Sequence, residues 1–346
     1  MALPATIREY RSQGVSHHDF IIQNVPLSKP RTNEVTIKIH AVSLQYRDLA
    51  VSKARYPGQK EKPVPCSDGA GEIVAVGRDV KGWKIGDRVS PNFALDHIHG
   101  DVTEAIKNTG LGGQIDGVLR EYINVPAHSL VRIPDYLTYE EASTLPCAAL
   151  TAYNALHGPV PLKGGDYVLV LGTGGVSIFG AQIALASGAT VIMTSSSDAK
   201  LEVAKKLGVQ YLINYNTNPN WEDEVLKIIT KTEGRGVDHI IEVGGIDTIQ
   251  KSMKAVRYAG QVYIIGYVSG GDSGIPIRPA IHKAITFRAI LIGSVKQFED
   301  MNRLFIARQV HPVVDKVFPF EEAIEGYSYL ESQKHVGKVV IKVTKN

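Results

Sequence analysis

Two patterns of apolar and polar positions divide the chain near Pro134. Ahead of it, "EVTIKIHAVSL" alternates apolar and polar residues, the pattern of a half-buried strand. "GEIVAVG", "GDRVSPNF" and "REYINVP" predict further strands, separated by Gly, Pro and Asp turns. Residues 1–125 therefore read as an irregular β domain. Beyond Pro134, "TYEEASTLPCAALTAYNAL" is helical in character, with Thr138 as N-cap and Glu141 at the capping-box spacing. Strands and helices then alternate. "DYVLVLG", "TVIMTS", "VQYLINY", "VDHIIEVGG" and "QVYIIGY" have strand length, and "FRAILIG" predicts a sixth strand. Between them, "GVSIFGAQIALASG", "DAKLEVAKKLG", "WEDEVLKIITKTEG" and "IDTIQKSMKAVRYAG" predict helices. Strands joined by helical crossovers build a parallel, doubly wound sheet, so the fold class is α/β. The C-terminal part predicts two helices, around "QFEDMNRLFIARQ" and "FEEAIEGYSYLES", and a last strand, "GKVVIKV". That tail is expected to pack back on the N-terminal β domain.

The segment "VLVLGTGGVSIFG" lies where a strand gives way to a helix. Gly172 and Gly174 match the first two glycines of a G-x-G-x-x-G fingerprint, and Ser177 takes the place of the third. The first glycine allows a tight turn. The second lets the backbone approach a pyrophosphate seated at the helix N-terminus, where free N–H groups and the helix dipole favour negative charge. Its strand–helix setting and the alternations that follow make the motif specific for a dinucleotide; the alternative is a Gly-rich turn serving another ligand. An acidic residue about 20 positions after the first glycine would hold the ribose hydroxyls of NAD. Here Ser195 and Ser196 stand at the strand tip, with Lys200 one helical turn on. Hydroxyls and an ammonium attract a 2′-phosphate that a carboxylate would repel, which points to NADP(H). Asp198 reads as the N-cap of the next helix.

Composition narrows the class. The 346 residues are 44% hydrophobic and 21% charged, with a formal net charge of +3. That is a globular balance with room for two domains, and it carries no polyanion signal, so nucleic acid is not an expected partner. "MALPATIREYRSQG" has no apolar signal-peptide core, and no apolar run is long enough to span a membrane. Two cysteines, Cys66 and Cys147, suit a reducing compartment, and a cytoplasmic location is expected.

Together, "AVSLQYRDLAVSKARYP", "CSDGAGEIVAVG", "KGWKIGDRV", "LPCAALTAYNAL", "GTGGVS" and "GKVVI" make the chain resemble the medium-chain dehydrogenase/reductases over essentially its whole length. The nearest likeness is to the zinc-free quinone oxidoreductase and alcohol-dehydrogenase-like branch. The resemblance implies a GroES-like β domain, 1–125 completed by 292–346, a Rossmann domain over 126–291, an active site in the cleft between them, and a homodimer. Edge pairing through "FRAILIGS" would serve the dimer.

In zinc-dependent relatives a Cys, the His of a G-H-E stretch and a second Cys hold the catalytic metal. The matching positions are Gln45, Ser67 and Cys147, with Asp68 in place of the Glu. An amide, an alcohol and one thiol do not make a tetrahedral zinc site, and the four cysteines of a structural zinc lobe between about Asn92 and Ile115 are missing. No metal is expected; His97 and His99 in "DHIHGD" are the rival candidate. Cys147 reads as a buried, inert thiol. The glycines of "PCSDGAGEIVAVG" are expected to keep a turn, and Asp48 and Asp68 to make structural contacts.

The resemblance further implies cofactor contacts from Gln45, Thr151, the Gly172–Val176 turn (with Thr173 and Gly175), Lys200, Tyr215, Gly244, Gly266, Tyr267, Val268, Ile292 and Gly293. Without zinc, charge formed during hydride transfer must be met by hydrogen bonds or proton delivery, with Gln45, Tyr46 and Ser67 as the candidate catalytic groups. Tyr46 and Tyr56 are candidates to line the substrate site. The expected reaction is NADPH-dependent reduction of an enone C=C or a quinone. The alternatives are a zinc-free carbonyl reductase or alcohol dehydrogenase, and a non-catalytic NADPH-binding protein.

Overall fold

The computed structural model describes residues 3–230, 235–270 and 274–344. The chain divides into two compact units, Met1–Leu150 with Ile292–Asn346, and Thr151–Leu291. The first opens with a hairpin of β1 (Thr6–Arg11) and β2 (Ile21–Pro26), which the periodicity did not announce. β3 (Glu34–Ser43), β4 (Asp68–Val76), β5 (Arg88–Pro91), β6 (Tyr122–Pro126) and β7 (Leu130–Arg132) follow. The second unit holds β8 (Tyr167–Leu171), β9 (Thr190–Ser195), β10 (Tyr211–Asn214), β11 (Val237–Glu242), β12 (Val256–Ile264) and β13 (Thr286–Ala289). β14 (Val314–Pro319) and β15 (Lys338–Lys342) return to the first.

The main sheet of the first unit has the order β14-β15-β3-β4-β5-β7, with β6 also on β3. β3 is 10 residues long, so one of its edges serves two partners. Glu34–Lys38 pair with β6, and Ala41–Ser43 pair with β15. This shared edge incorporates the tail into the N-terminal sheet. It also moves the domain boundary: an end at 125 would cut β6, and β6 and β7 both belong to this sheet, so the first unit runs on to Leu150. Val35, Ile37, Ile39, Ile73, Ile123 and Ile341 fill its core.

The stretch expected to be a turn is a strand. β4 begins at Asp68, and Gly69 and Gly71 lie within it. A side chain at Gly71 would start 2.0 Å from the Lys38 carbonyl oxygen, so glycine lets two strands close up here. The turn lies just before, at Cys66, which takes a left-handed φ of 69°.

In the second unit all neighbouring strands are parallel, in the order β10-β9-β8-β11-β12-β13. Counted within the unit this is 3-2-1-4-5-6, the Rossmann order, with the switch point between β8 and β11. The fourth predicted helix is shorter than expected. Ile249–Ala255 is helical, and Val256–Gly260 joins β12 through an irregular register against β11. The third is helical over Trp221–Thr230; its predicted end, 231–234, lies outside the described residues. Among the described residues no helix is long and apolar enough to cross a membrane.

Candidate active site

The parallel sheet gathers most of the predicted cofactor residues at one edge. Gly172–Val176 follow β8, Ser195 ends β9 and Ser196 follows it, Tyr215 follows β10, Gly244 follows β11, and Gly266–Val268 follow β12. Parallel strands put all of these at the carboxyl edge, where ligands of such sheets bind. Gly172 has φ 74°, a conformation that other residues adopt only under strain. Gly174 is the N-cap of the 12-residue helix Gly175–Ala186, and a side chain there would meet nothing within 4 Å. The protein's own packing therefore does not require glycine at 174, whereas a closely approaching ligand would. Ser177, at the third fingerprint position, is buried and donates from Oγ to the Leu171 carbonyl at 2.7 Å. That bond ties the helix to the end of β8, the packing that the third glycine otherwise permits.

The edge that would select the dinucleotide is only partly as expected. Ser195 is buried, and its Oγ accepts from the Ser197 N–H at 3.4 Å, so it points inward rather than at a ligand. Ser196 is exposed, Lys200 is half-buried, and Tyr215 is exposed. The Tyr215 N–H donates to the Ser195 carbonyl at 2.9 Å, which draws the ends of β9 and β10 together. The N-cap of the helix Asp198–Lys206 is Ser197, not Asp198 as expected. Asp198 instead accepts from the Asn214 amide at 2.7 Å, the reach of a neighbouring strand end. Glu242, fully buried at the end of β11, accepts from the Gly244 and Gly245 N–H groups and from the Thr248 and Ser252 hydroxyls. It holds the loop that carries Gly244. Thr151 is buried, and its Oγ1 has no partner among the described residues.

In the first unit, register rather than sequence proximity builds the site. Ser43 on β3 faces Asp68 on β4 and Val340 on β15. Gln45, two residues past Ser43, therefore meets Asp68, and Lys338 comes in from the next strand. The Gln45 amide donates to Asp68 Oδ2 at 2.5 Å, and Ser67 Oγ donates to Asp68 Oδ1 at 2.5 Å. The Cys147 N–H, in the π-helical turn Leu145–Ala149, donates to Asp68 Oδ2 at 3.0 Å. Burial pushes the Asp68 carboxyl up to about 6, against the pull of Lys338 and the Ser67 hydroxyl. Lys338 is 4% exposed, donates to the Leu44 carbonyl, and is pushed down by burial. Asp48 accepts from the Gln45 N–H at 2.8 Å, and burial raises its carboxyl too. Cys66 Sγ lies 3.2 Å from the Tyr327 hydroxyl. Burial pushes both cysteine thiols up, which disfavours the thiolates.

Tyr46 is 51% exposed at the start of the helix Tyr46–Ser52. Tyr56 stacks on the Arg47 guanidinium, so its ring is a lid over a cation before it can be a wall for substrate. Ile292 and Gly293 sit in the first unit, Ile292 against the cluster of Phe93, Ala94 and Cys147.

The chain matches the family described as "Alcohol dehydrogenase GroES-like domain" over residues 31–135 and "Zinc-binding dehydrogenase" over residues 175–307. It is 46% identical to a "Zinc-type alcohol dehydrogenase-like protein" of Schizosaccharomyces pombe, over 91% of this chain and 92% of that protein. The chain is a medium-chain dehydrogenase/reductase. A "putative Alcohol dehydrogenase" structure from Sinorhizobium meliloti superposes with a TM-score of 0.92 at 35% identity, covering 99% of this chain and all of that one. An "Acryloyl-coenzyme A reductase" of Sulfurisphaera tokodaii is 27% identical over 93% of this chain and 96% of its own length.

Two groups bound by medium-chain enzymes can be tested against these residues. A nicotinamide dinucleotide fits: the glycine turn leaves room at Gly174, a 12-residue helix begins there, and Thr151 offers an unspent buried hydroxyl. A catalytic zinc does not fit. Gln45 and Ser67 donate their hydrogens to Asp68, and Cys147 is the one soft donor at the three matching positions. Among the described residues no three His, Cys, Asp or Glu side chains are gathered as a metal site. His97 contacts the Gly100 carbonyl at 3.0 Å, and His99 is exposed. Sequence reasoning missed Arg47, Lys338 and Glu242. The available signal was a charged residue at an inward register of an apolar strand, as in "GKVVI" and "VDHIIE".

Proposed function

We propose that this medium-chain dehydrogenase/reductase is a zinc-independent, NADPH-dependent reductase of an activated C=C or a quinone. The observation that carries the reading is the closed set of Gln45, Ser67 and Cys147 on Asp68, standing where zinc-dependent relatives place metal ligands. Without a Lewis acid, a conjugated acceptor is the suitable substrate, because it spreads the arriving charge from carbon to a distant oxygen. The similarity to an acryloyl-coenzyme A reductase supports C=C reduction. The bound cofactor would supply the hydride. Gly172–Val176 and the helix behind them would hold its pyrophosphate, Thr151 its nicotinamide end, and Ser196, Lys200 and Tyr215 its 2′-phosphate. Gln45 and Asp68 keep the first unit's strand ends locked together.

The test is NADPH oxidation with an α,β-unsaturated ketone, a quinone and an aldehyde, followed by product analysis and metal analysis. A saturated ketone or hydroquinone without bound zinc is expected. An allylic alcohol as product would replace this reading with carbonyl reduction, which the relatives named alcohol dehydrogenases favour. Dinucleotide binding without turnover on any of the three would make the chain a non-catalytic binder. We also propose a homodimer through β13, the edge strand of its sheet, beside which Ile277 and Ile281 are 72% and 71% exposed. Ile281→Glu should halve the mass seen by sedimentation; a wild-type monomer would remove the proposal.

A further inference from the structure

Asp198 places a carboxylate at an edge proposed to hold a phosphate. It is exposed and begins the helix Asp198–Lys206, two residues beyond Ser196 and two before Lys200. Ser197 is extended, with φ −138° and ψ 123°. The residues flanking an extended residue project to one side of the chain, so Ser196 and Asp198 share a side. An acidic group near this strand tip suits the ribose hydroxyls of NAD and repels the 2′-phosphate of NADP. Here the neighbouring strand holds the carboxylate. The Asn214 amide, at the end of β10, donates to Asp198 Oδ1 at 2.7 Å. Asn214 is itself fixed. Its Oδ1 accepts from the Asn216 N–H at 3.0 Å, which turns the NH2 group toward Asp198. Its carbonyl accepts from the Asn218 N–H at 2.8 Å and from the Thr217 hydroxyl at 3.2 Å. The Asn216 amide ties the same loop to the Ser196 carbonyl at 3.0 Å. β10 is the edge strand, on the far side of β9 from β8. The bond therefore draws the Asp198 charge toward the outer edge of the sheet, away from the glycine turn after β8.

Resting on the NADPH reading above, we propose that Asn214 is a positioning residue for cofactor choice. It holds the Asp198 carboxylate aside and so lets a 2′-phosphate settle at Ser196, Lys200 and Tyr215. All of these residues belong to the second unit. A neutral amide suits the task, because it orients the carboxylate without spending a cation that the phosphate needs. With the Asn214 amide removed, the carboxylate is free to swing to the side of Ser196. There it accepts a ribose 2′-hydroxyl and repels a 2′-phosphate. A carboxylate and a doubly charged phosphate about 6 Å apart in water repel enough to shift an equilibrium about tenfold. Asn214 thus selects between two cofactors through a residue that it touches, and need not touch either cofactor itself.

The test titrates the full chain by calorimetry with adenosine 2′,5′-bisphosphate and with adenosine 5′-phosphate. The probes differ only in the 2′-phosphate and carry no nicotinamide, so they read the adenosine end of the site. Asn214→Ala should weaken the bisphosphate about tenfold and leave adenosine 5′-phosphate within about twofold. Adding Asp198→Asn to Asn214→Ala should restore the bisphosphate to within about twofold of wild type, because no charge is then left to restrain. A merely structural role for Asn214 gives no such rescue. An unchanged ratio of the two affinities in Asn214→Ala, or a double variant as weak as Asn214→Ala, would overturn the proposal. If Asn214→Ala binds neither probe, Asp198→Asn alone decides. Bisphosphate affinity within about twofold of wild type is expected there, and a tenfold gain would show that the carboxylate was never held aside. The wild-type ratio tests the NADPH reading by itself. Equal affinity for both probes would end that reading, while the change in ratio on Asn214→Ala still decides whether Asn214 restrains Asp198.

Discussion

The turn after β8 and the start of β4 are both strand ends expected to meet chemistry, and they are built in opposite ways. The first is backbone: a left-handed Gly172, an open place at Gly174, and a helix N-terminus. The second is side chain: an aspartate holding three donors, with a buried lysine and a buried arginine nearby. Among the described residues the first is seen to spend only one turn donor inside the fold, the Gly172 N–H on Thr194 Oγ1 at 3.5 Å. The second has used nearly all of its own internally, apart from Arg47 Nε and Nη2. A phosphate can be held by any backbone in the right conformation, so that site needs few particular residues. A site that must meet charge at one atom needs fixed side chains, and fixing them takes buried, satisfied hydrogen bonds.

Replacing the hub of the side-chain half should have the largest effect. Asp68→Leu orphans the Gln45, Ser67 and Cys147 donors, at roughly 1–3 kcal/mol each. Urea denaturation should show most of that loss. The milder Asp68→Asn tests the electrostatics. Asp68 is raised from 3.8 to about 6, so the folded chain binds more protons than the unfolded chain in that window. Its contribution is therefore full below pH 3.8 and is lost as pH rises to about 6. Wild-type stability should fall over that range relative to Asp68→Asn; parallel curves would show that Asp68 titrates normally.

The backbone half should respond next. Gly172→Val places a β-branched residue at φ 74°, which costs on the order of 1–3 kcal/mol. Dinucleotide affinity measured by fluorescence should drop by about 100-fold if the strain opens the turn. Unaltered affinity would separate the glycine turn from the cofactor. Lys200→Ala comes third. It should raise KM for NADPH about tenfold and leave KM for NADH within about twofold, because the proposed partner of Lys200 is the 2′-phosphate that NADH lacks. Equal effects would remove the NADP preference. Tyr46→Phe is the smallest. With the side chain half exposed, kcat should stay within about twofold in single-turnover measurements. A larger drop would move proton delivery to Tyr46 and blur the contrast between the two halves.

How legible each half was follows from the same difference. A glycine fingerprint between a strand and a helix is local, and every residue of that turn lies within a few positions of the next. The capping box at Thr138 and Glu141 was readable for the same reason, and both of its hydrogen bonds are formed. Short-range patterns misled where a neighbouring strand intervened. "SDGAG" reads as a turn, yet pairing with β3 draws it into β4. Asp198 reads as a cap, yet Asn214 on β10 engages it. Ser195 reads as a ligand contact, yet it is buried at the tip of β9.

Periodicity and the glycine turn were enough to specify a parallel α/β unit opened by a phosphate-cradling turn, because those signals are made by residues close along the chain. The substitutions at Gln45 and Ser67 were enough to argue against a zinc ligand set, because ligand chemistry belongs to the residue type. The juxtaposition of Gln45, Asp68 and Lys338 came from strand register across β4, β3 and β15. So did the use of Gln45 and Ser67 as partners of Asp68 rather than as free donors. The unpaired Nε and Nη2 of Arg47 likewise depend on which acceptors the fold brings near them. Contacts between residues as far apart as Leu44 and Lys338 have no signature in either local sequence, because the free energy that creates them comes from burying the whole sheet.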